Sequence, residues 1–239
     1  FWPIPWPYPD RLRICPWRRE LLEGLLATDL LAFQLERDRR NFLLAVDEDI
    51  GAEIDMDASS VRLNGRHTTV VSVPIGVDFD RIQRIAADAT LAAEQERLIE
   101  LFSLRAPIVG IGVDRLDYTK GIPERIAALD AVLTRRPELR GQVTFVQIGV
   151  PSRSELASYG AIENEIGQAI ETVNARHTVA GGPPAVIYYR TPLTIVSLAA
   201  LYRLAHFCLV RSLHDGMNLG APEFAAARDD EDRGLWRRA

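Results

Sequence analysis

The chain has 239 residues, with 28 Lys+Arg against 33 Asp+Glu and a formal net charge of −5. Apolar residues make up 47% and charged residues 26%, the balance of a globular chain with material for one or two cores. A mildly acidic balance excludes a chain built chiefly to hold nucleic acid, which needs a dense basic face. No apolar run reaches the roughly 20 residues of a membrane span. The best one, Leu193 to Val210, is broken by Thr194, Ser197, Arg203 and His206, so no membrane partner is expected. The start, FWPIPWPYPD, has four prolines and no basic residue, unlike a signal peptide. Cys15 and Cys208 are too few and too distant for a disulfide framework or a metal cluster. They read as buried apolar fillers in a reducing, cytoplasmic compartment.

The first segment is extended, because each proline fixes φ and keeps its predecessor out of a helix. Pro16 suits a helix start, and Leu21, Leu22, Leu25 and Leu26 recur at helical spacing after it. Leu30 to Gln34 reads as a strand, Glu36 to Val46 as a helix and Val70 to Val73 as a strand. Pro74-Ile75-Gly76-Val77-Asp78 breaks regular structure, which places a domain boundary between residues 76 and 77. One polar helix is predicted from Asp80 to Leu104, a buried strand over Ile108 to Val113, and a helix from Pro123 to Arg135. Val143 to Ile148 follows as a strand. Ser152 and Glu155 have capping-box spacing ahead of a long helix with Ile162, Ile166, Ile170 and Val173 on one face. Val186 to Tyr189 and Phe207 to Val210 read as strands, Leu193 to Ala205 as a helix, and Pro222 starts another. Strands alternating with helices imply parallel β/α units covered on both faces. The charged stretch from Arg228 to Arg233 reads as a solvated turn.

In such sheets ligands bind beyond the carboxyl ends of the strands. Three of these ends carry unusual polar residues. After Val113 come Asp114, Arg115, Asp117, Tyr118 and Lys120. Arg115 can fork onto a diphosphate and Lys120 adds a point charge; alternatively both pair with Asp114 and Asp117. Arg153 stands beside a helix start, where a cation is disfavoured unless an anion is bound. After Val210 the segment LHDGMNLGAPEF supplies Asp215, the Gly216-Met217-Asn218-Leu219 backbone and Glu223. These can hold sugar hydroxyls, a phosphate and a ribose diol respectively. The plainer reading is that Asp215 or Asn218 caps the helix and Glu223 complements its dipole. His67, His177 and His206 read as surface or packing residues, leaving His214, beside Asp215, as the histidine to test. No zinc spacing, Gly-x-Ser-x-Gly elbow or Walker loop occurs.

VDRLDYTKGIPER, PSR and LHDGMNLGAPEF, in that order and spacing, resemble the trehalose-6-phosphate synthases, retaining glucosyltransferases of glycosyltransferase family 20. PIPWPYPDRLRICPWRRELLEGLLATDLLAFQ and PIGVDFD are similar to that family too, so the resemblance spans nearly the whole chain. It implies an α/β fold of two Rossmann-like domains of the GT-B type. Residues 1–76 would be the end of the first, acceptor-side domain, and 77–239 an incomplete second domain that binds the nucleotide sugar. It implies transfer of glucose from UDP-glucose to glucose 6-phosphate, giving α,α-trehalose 6-phosphate and UDP. Attack comes from the leaving-group face, and the departing phosphate takes the acceptor proton. Arg115 and Lys120 would grip the diphosphate, and Asp215 with the Gly216–Leu219 backbone would hold donor glucose and phosphate. Glu223 would take the ribose hydroxyls and Arg153 the phosphate of glucose 6-phosphate. Arg115, Lys120 and Asp215 are the expected catalytic set, with no metal or other cofactor, and the reading leaves room for a homo-oligomer.

Departures from the family pattern qualify this. Pro3-Ile4-Pro5 stands where members carry His-Ile-Pro, and Gly220-Ala221-Pro222-Glu223 where they carry Val-Ala-Lys-Glu. Pro222 removes one amide at the helix start and is expected to leave that of Gly220 available. The family's N-terminal Gly-rich loop is missing, and the final GLWRRA does not resemble its next strand. A fragment with little turnover of its own is therefore expected. Two alternatives follow: a synthase that glucosylates glycerol 3-phosphate, or a non-catalytic nucleotide-sugar-binding remnant.

Overall fold

A computed structural model of the chain describes residues 1–151, 157–213, 215–228 and 234–237. The chain divides into two compact units, Phe1–Gly76 with His214–Met217, and Val77–Leu213 with Asn218–Ala239. No helix among the described residues is long and apolar enough to cross a membrane.

In the first unit the proline-rich start leads into two short helices, α1 (Pro9–Leu12) and α2 (Arg18–Leu25). β1 (Leu30–Phe33) and α3 (Glu36–Asp49) follow. Phe42, Leu43, Ala45 and Val46 of α3 are buried, at the one-sided spacing of an amphipathic helix. Then come β2 (Glu53–Asp55), β3 (Ser60–Leu63) and β4 (Arg66–Ser72). The sheet order is β1-β4-β3-β2, with β1 parallel to β4 and the other pairs antiparallel. The expected all-parallel pattern therefore fails here. The cause is local: Asn64 and Gly65 take φ of 50° and 78°, the left-handed pair that reverses a chain within two residues. Trp6, Phe33 and Phe42 form the aromatic centre of this core, with Trp6 and Phe42 edge-on at 5.1 Å. Trp17, 69% exposed at the start of α2, lies outside it.

The second unit opens with α4 (Phe79–Ala86) and α5 (Leu91–Phe102), not the single helix expected from Asp80 to Leu104. Asp88 interrupts it: its Oδ1 accepts from Thr90 N at 2.8 Å and Thr90 Oγ1 at 2.6 Å, a turn that competes with helix. After these come β5 (Ile108–Arg115), α6 (Ile122–Arg135), β6 (Val143–Val150), α7 (Ala157–His177) and β7 (Val186–Tyr189). The unit closes with α8 (Ile195–Leu204), β8 (Phe207–Val210), α9 (Gly220–Ala226) and β9 (Gly234–Arg237). The proposed capping pair Ser152 and Glu155 lies outside the described residues. All neighbours in the sheet β7-β6-β5-β8-β9 are parallel. β9 was not expected as a strand, yet Leu235 aligns with Cys208 of β8 and extends the sheet.

The strand order runs outward from β5 to β7 on one side and from β8 to β9 on the other. Its reversal point lies between β5 and β8, the place where an open α/β sheet forms its ligand crevice. Each face has its own core. Ile122, Ile126, Leu129, Ile166 and Ile170 cover one, from α6 and α7. Leu98, Phe102, Leu201, Tyr202 and Phe224 cover the other, from α5, α8 and α9. Buried cores on both faces explain why β5 and β6 read as nearly continuous apolar runs.

The α5–α8 contact carries an acid-sensitive link. Arg97 donates to Glu94 at 2.8 and 2.7 Å, and with a hydrogen bond from Ser197 it pulls the Glu94 carboxyl down to about 2. A depressed carboxylate stabilises the fold fully above its unfolded value of 4.5 and loses that contribution as pH falls toward about 2. Glu94→Gln should therefore be less stable than the parent above that upper value, with the gap closing toward the lower one. Urea unfolding across this range checks it, and a gap independent of pH would reject the assignment.

Candidate functional site

The carboxyl end of β5 is anchored from within. Arg125 of α6 donates through Nη1 to Asp114 Oδ2 at 2.6 Å and to Gln147 Oε1 at 2.8 Å. Both charged side chains are 2% exposed. Gln147 donates in turn to Gly112 O at 3.3 Å and Ile148 O at 2.9 Å, tying β5 to β6. A Cβ at Gly112 would meet Arg125 Nη1 at 2.6 Å, so the network requires a glycine there. Neither Arg125 nor Gln147 was singled out in the sequence, although both interrupt otherwise apolar buried faces.

Beyond this anchor the chain turns through a short 3₁₀ helix, Tyr118–Lys120. Asp117 Oδ1 caps it, accepting from Thr119 N at 2.9 Å and Thr119 Oγ1 at 2.8 Å. Burial pushes the Asp117 carboxyl up, but the two Thr119 bonds and the nearby charges of Arg115 and Lys120 outweigh it and hold it below the ordinary range. Arg115 ends β5 ahead of this turn and is exposed, and Lys120 ends the turn and is half-buried. Gly121, at φ 64°, lets the chain enter α6; a Cβ there would lie 2.9 Å from Arg211 O. Leu213 N donates to Thr119 O at 2.7 Å. The loops after β5 and β8 therefore meet within this unit, on either side of the strand-order reversal.

At the start of α9, Asn218 Oδ1 accepts from Gly220 N at 2.9 Å. This corrects the expectation that the Gly220 amide is available; the bond closes a local turn ahead of α9, whose N-cap residue, Leu219, makes no side-chain cap bond. Glu223 N donates to Leu219 O at 3.0 Å. Burial raises the Glu223 carboxyl above the ordinary range, partly offset by the hydrogen bond from Tyr202 Oη to Oε2 at 3.3 Å. Tyr202 was missed because it sits on an apolar helix face, where a tyrosine reads as core.

Asp215, Gly216 and Met217 belong to the first unit. Gly216 is buried against Pro3, and a Cβ there would stand 2.3 Å from Pro3 O and 3.5 Å from Gln34 Cγ. Gln34, 5% exposed, is held by accepting from Ile75 N at 2.8 Å. Arg153 and His214 lie outside the described residues. Among the described residues no three His, Cys, Asp or Glu side chains are grouped to hold a metal ion.

A raised carboxyl on a half-buried glutamate makes a direct expectation. Its folded value lies above its unfolded one, so the stability contribution of Glu223 declines as pH rises through that interval. Glu223→Gln should raise the midpoint of thermal unfolding at neutral pH. Scanning calorimetry reads the effect; a lower midpoint than the parent's would count against it.

The family model of glycosyltransferase family 20 matches residues 1–236. The chain belongs to that family. A bifunctional trehalose-6-phosphate synthase/phosphatase of Thermoproteus tenax is 38% identical over 229 residues, 95% of this chain and 31% of the relative. An α,α-trehalose-phosphate synthase (UDP-forming) from Burkholderia xenovorans, solved in complex with glucose-6-phosphate, superposes with a TM-score of 0.90 at 33% identity. The match covers 97% of this chain and 51% of that one. An E. coli structure bound with UDP-2-fluoro glucose gives 0.85 at 30% identity over 95% of this chain and 49% of the other. The family 20 chain described here thus spans 31% of the first relative and about half of each solved structure. Its fold is the α/β, GT-B-like architecture of those synthases.

Proposed function

We propose that the chain carries the nucleotide-sugar site of a retaining glucosyltransferase that moves glucose from UDP-glucose to glucose 6-phosphate, releasing α,α-trehalose 6-phosphate and UDP. The observation that carries the reading is the placement of Arg115, at the end of β5, and Lys120, at the end of the short turn that follows, beyond the strand-order reversal. The ligands of the two solved relatives, glucose-6-phosphate and UDP-2-fluoro glucose, support the substrate pair.

Residues 77–239 would hold the donor and residues 1–76 would serve the acceptor side. Arg115 forks onto the diphosphate and Lys120 adds a compact charge. As the glycosidic bond breaks, negative charge collects on the leaving diphosphate and the sugar carbon becomes electron-poor. Fixed cations aimed at that oxygen stabilise this state more than the bound donor, which accelerates the step. Asp215 and the backbone of Gly216–Leu219 hold the donor sugar and phosphate. With the Gly220 amide engaged by Asn218 and no amide on Pro222, fewer helix-start donors remain, which places more of the diphosphate binding on Arg115 and Lys120. Glu223 takes the ribose diol, and Arg153 the acceptor phosphate.

Calorimetric titration with UDP-glucose, then with glucose 6-phosphate and glycerol 3-phosphate, tests the proposal, followed by assay for the disaccharide phosphate. Donor binding with a preference for glucose 6-phosphate supports it. No donor binding refutes it, and equal or better use of glycerol 3-phosphate replaces the acceptor.

A further inference from the structure

The carboxylate of Glu223 does not stand alone: a buried phenol is aimed at it. Tyr202 lies on α8 with 2% of its surface exposed, inside the core formed by α5, α8 and α9. Its ring meets Phe224 edge-on, with centroids 5.8 Å apart and planes at 90°. Phe224, itself 1% exposed, lies under the Arg228 guanidinium at 5.3 Å. Arg228 also donates to the carbonyls of Tyr202 at 3.0 Å and Ala205 at 2.6 Å. The tyrosine is thus held by its ring against Phe224 and by its backbone carbonyl against Arg228. Its hydroxyl is directed to Glu223 Oε2 at 3.3 Å, at the start of α9, where a Cβ on Gly220 would come within 3.8 Å of the tyrosine hydroxyl.

We infer that Tyr202 is a positioning residue that turns the Glu223 carboxylate to accept the two hydroxyls of a ribose. The inference rests on the proposed reading of Glu223 as the ribose-binding group and adds the residue that makes it effective. A carboxylate has about four acceptor positions. The tyrosine hydroxyl takes one of them on Oε2, which fixes the plane of the group. Oε1 and the second lone pair of Oε2 remain for a cis diol. Burial raises the Tyr202 phenol well above its ordinary value, so the hydroxyl stays protonated and always donates. Donation to the ionised form also opposes the burial that would protonate Glu223.

The test uses the 239-residue chain and its Tyr202→Phe variant, which keeps the ring and its contact with Phe224. Two probes are titrated calorimetrically, UDP and 2′,3′-dideoxyuridine 5′-diphosphate. The variant should bind UDP about three- to tenfold more weakly, the usual net effect of one hydrogen bond, and the dideoxy nucleotide as the parent does. In a Glu223→Gln background Tyr202→Phe should change UDP affinity much less than it does in the parent. Carboxyl carbon resonances should place Glu223 titration higher in Tyr202→Phe than in the parent, with no nucleotide present. An unmoved Glu223 titration, or equal losses on both nucleotides, overturns the role of Tyr202. Failure of the parent chain to bind either nucleotide, with the Glu223 titration still moved, overturns the donor-site reading instead.

Discussion

Arg125→Met should destabilise the second unit by about 3–5 kcal/mol. The reason is the neighbour left behind. Asp114 and Arg125 are each 2% exposed and joined at 2.6 Å, so removing the cation strands a buried carboxylate. Gln147 Oε1 loses its donor as well. For a unit of this size the midpoint of thermal unfolding should fall by roughly 6–20 °C. Replacing both partners with apolar residues (Arg125→Met with Asp114→Leu) should recover much of that loss, because the penalty comes from the unpaired charge. A pair of midpoints within 1–2 °C of the parent, on the scale of about one kcal/mol or less, would show that the ion pair carries little of the stability. Asp114 directly precedes Arg115, so the single variant should also blunt nucleotide binding in whatever fraction remains folded.

Arg115→Ala should leave the midpoint nearly unchanged and weaken UDP-glucose binding about 10–100-fold, the scale of losing charge-assisted hydrogen bonds to a diphosphate. Arg115 is exposed, which is why the fold should not register the change. Arg115→Lys should recover only part of the affinity, because an ammonium cannot fork onto two phosphate oxygens. In a chain competent for turnover the loss should reach on the order of 10²–10³ in rate, since the charge being stabilised grows toward the transition state. Weakening should be steeper at low salt, where exposed charges are least screened. Unchanged affinity for UDP-glucose, with the fold intact, would remove the 115–120 turn from the donor site.

Much of this was legible in order along the chain. The runs Ile108 to Val113 and Val143 to Ile148 are nearly pure apolar segments of strand length, and the structure makes them the central strand of a parallel sheet and one of its neighbours. Periodic isoleucines at 162, 166 and 170 announced α7. Of the ribbon only the end of β4, Val70 onward, was read as a strand; β2, β3 and the start of β4 went unread because they alternate polar and apolar residues in short pieces. Its signal was present all the same in Asn64-Gly65, a pair suited to a two-residue reversal. Arg125 also left a trace: it falls three residues after Ile122 and four before Leu129, on the buried stripe of α6. A charge at such a place demands a buried partner.

Local chemistry along the chain sufficed for period, turn type and the kinds of side chain gathered beyond each strand, because these depend on neighbours within a few residues. Which strand lies beside which does not. That β5 adjoins β8, bringing two loops nearly a hundred residues apart into hydrogen-bonding contact at Thr119 and Leu213, follows from packing helices on both faces of one twisted sheet. The partner of each charge is likewise a tertiary matter. Asp114 faces Arg125 and not its sequence neighbour Arg115 as a buried partner because successive strand residues point to opposite sides, and only the inward one is removed from water.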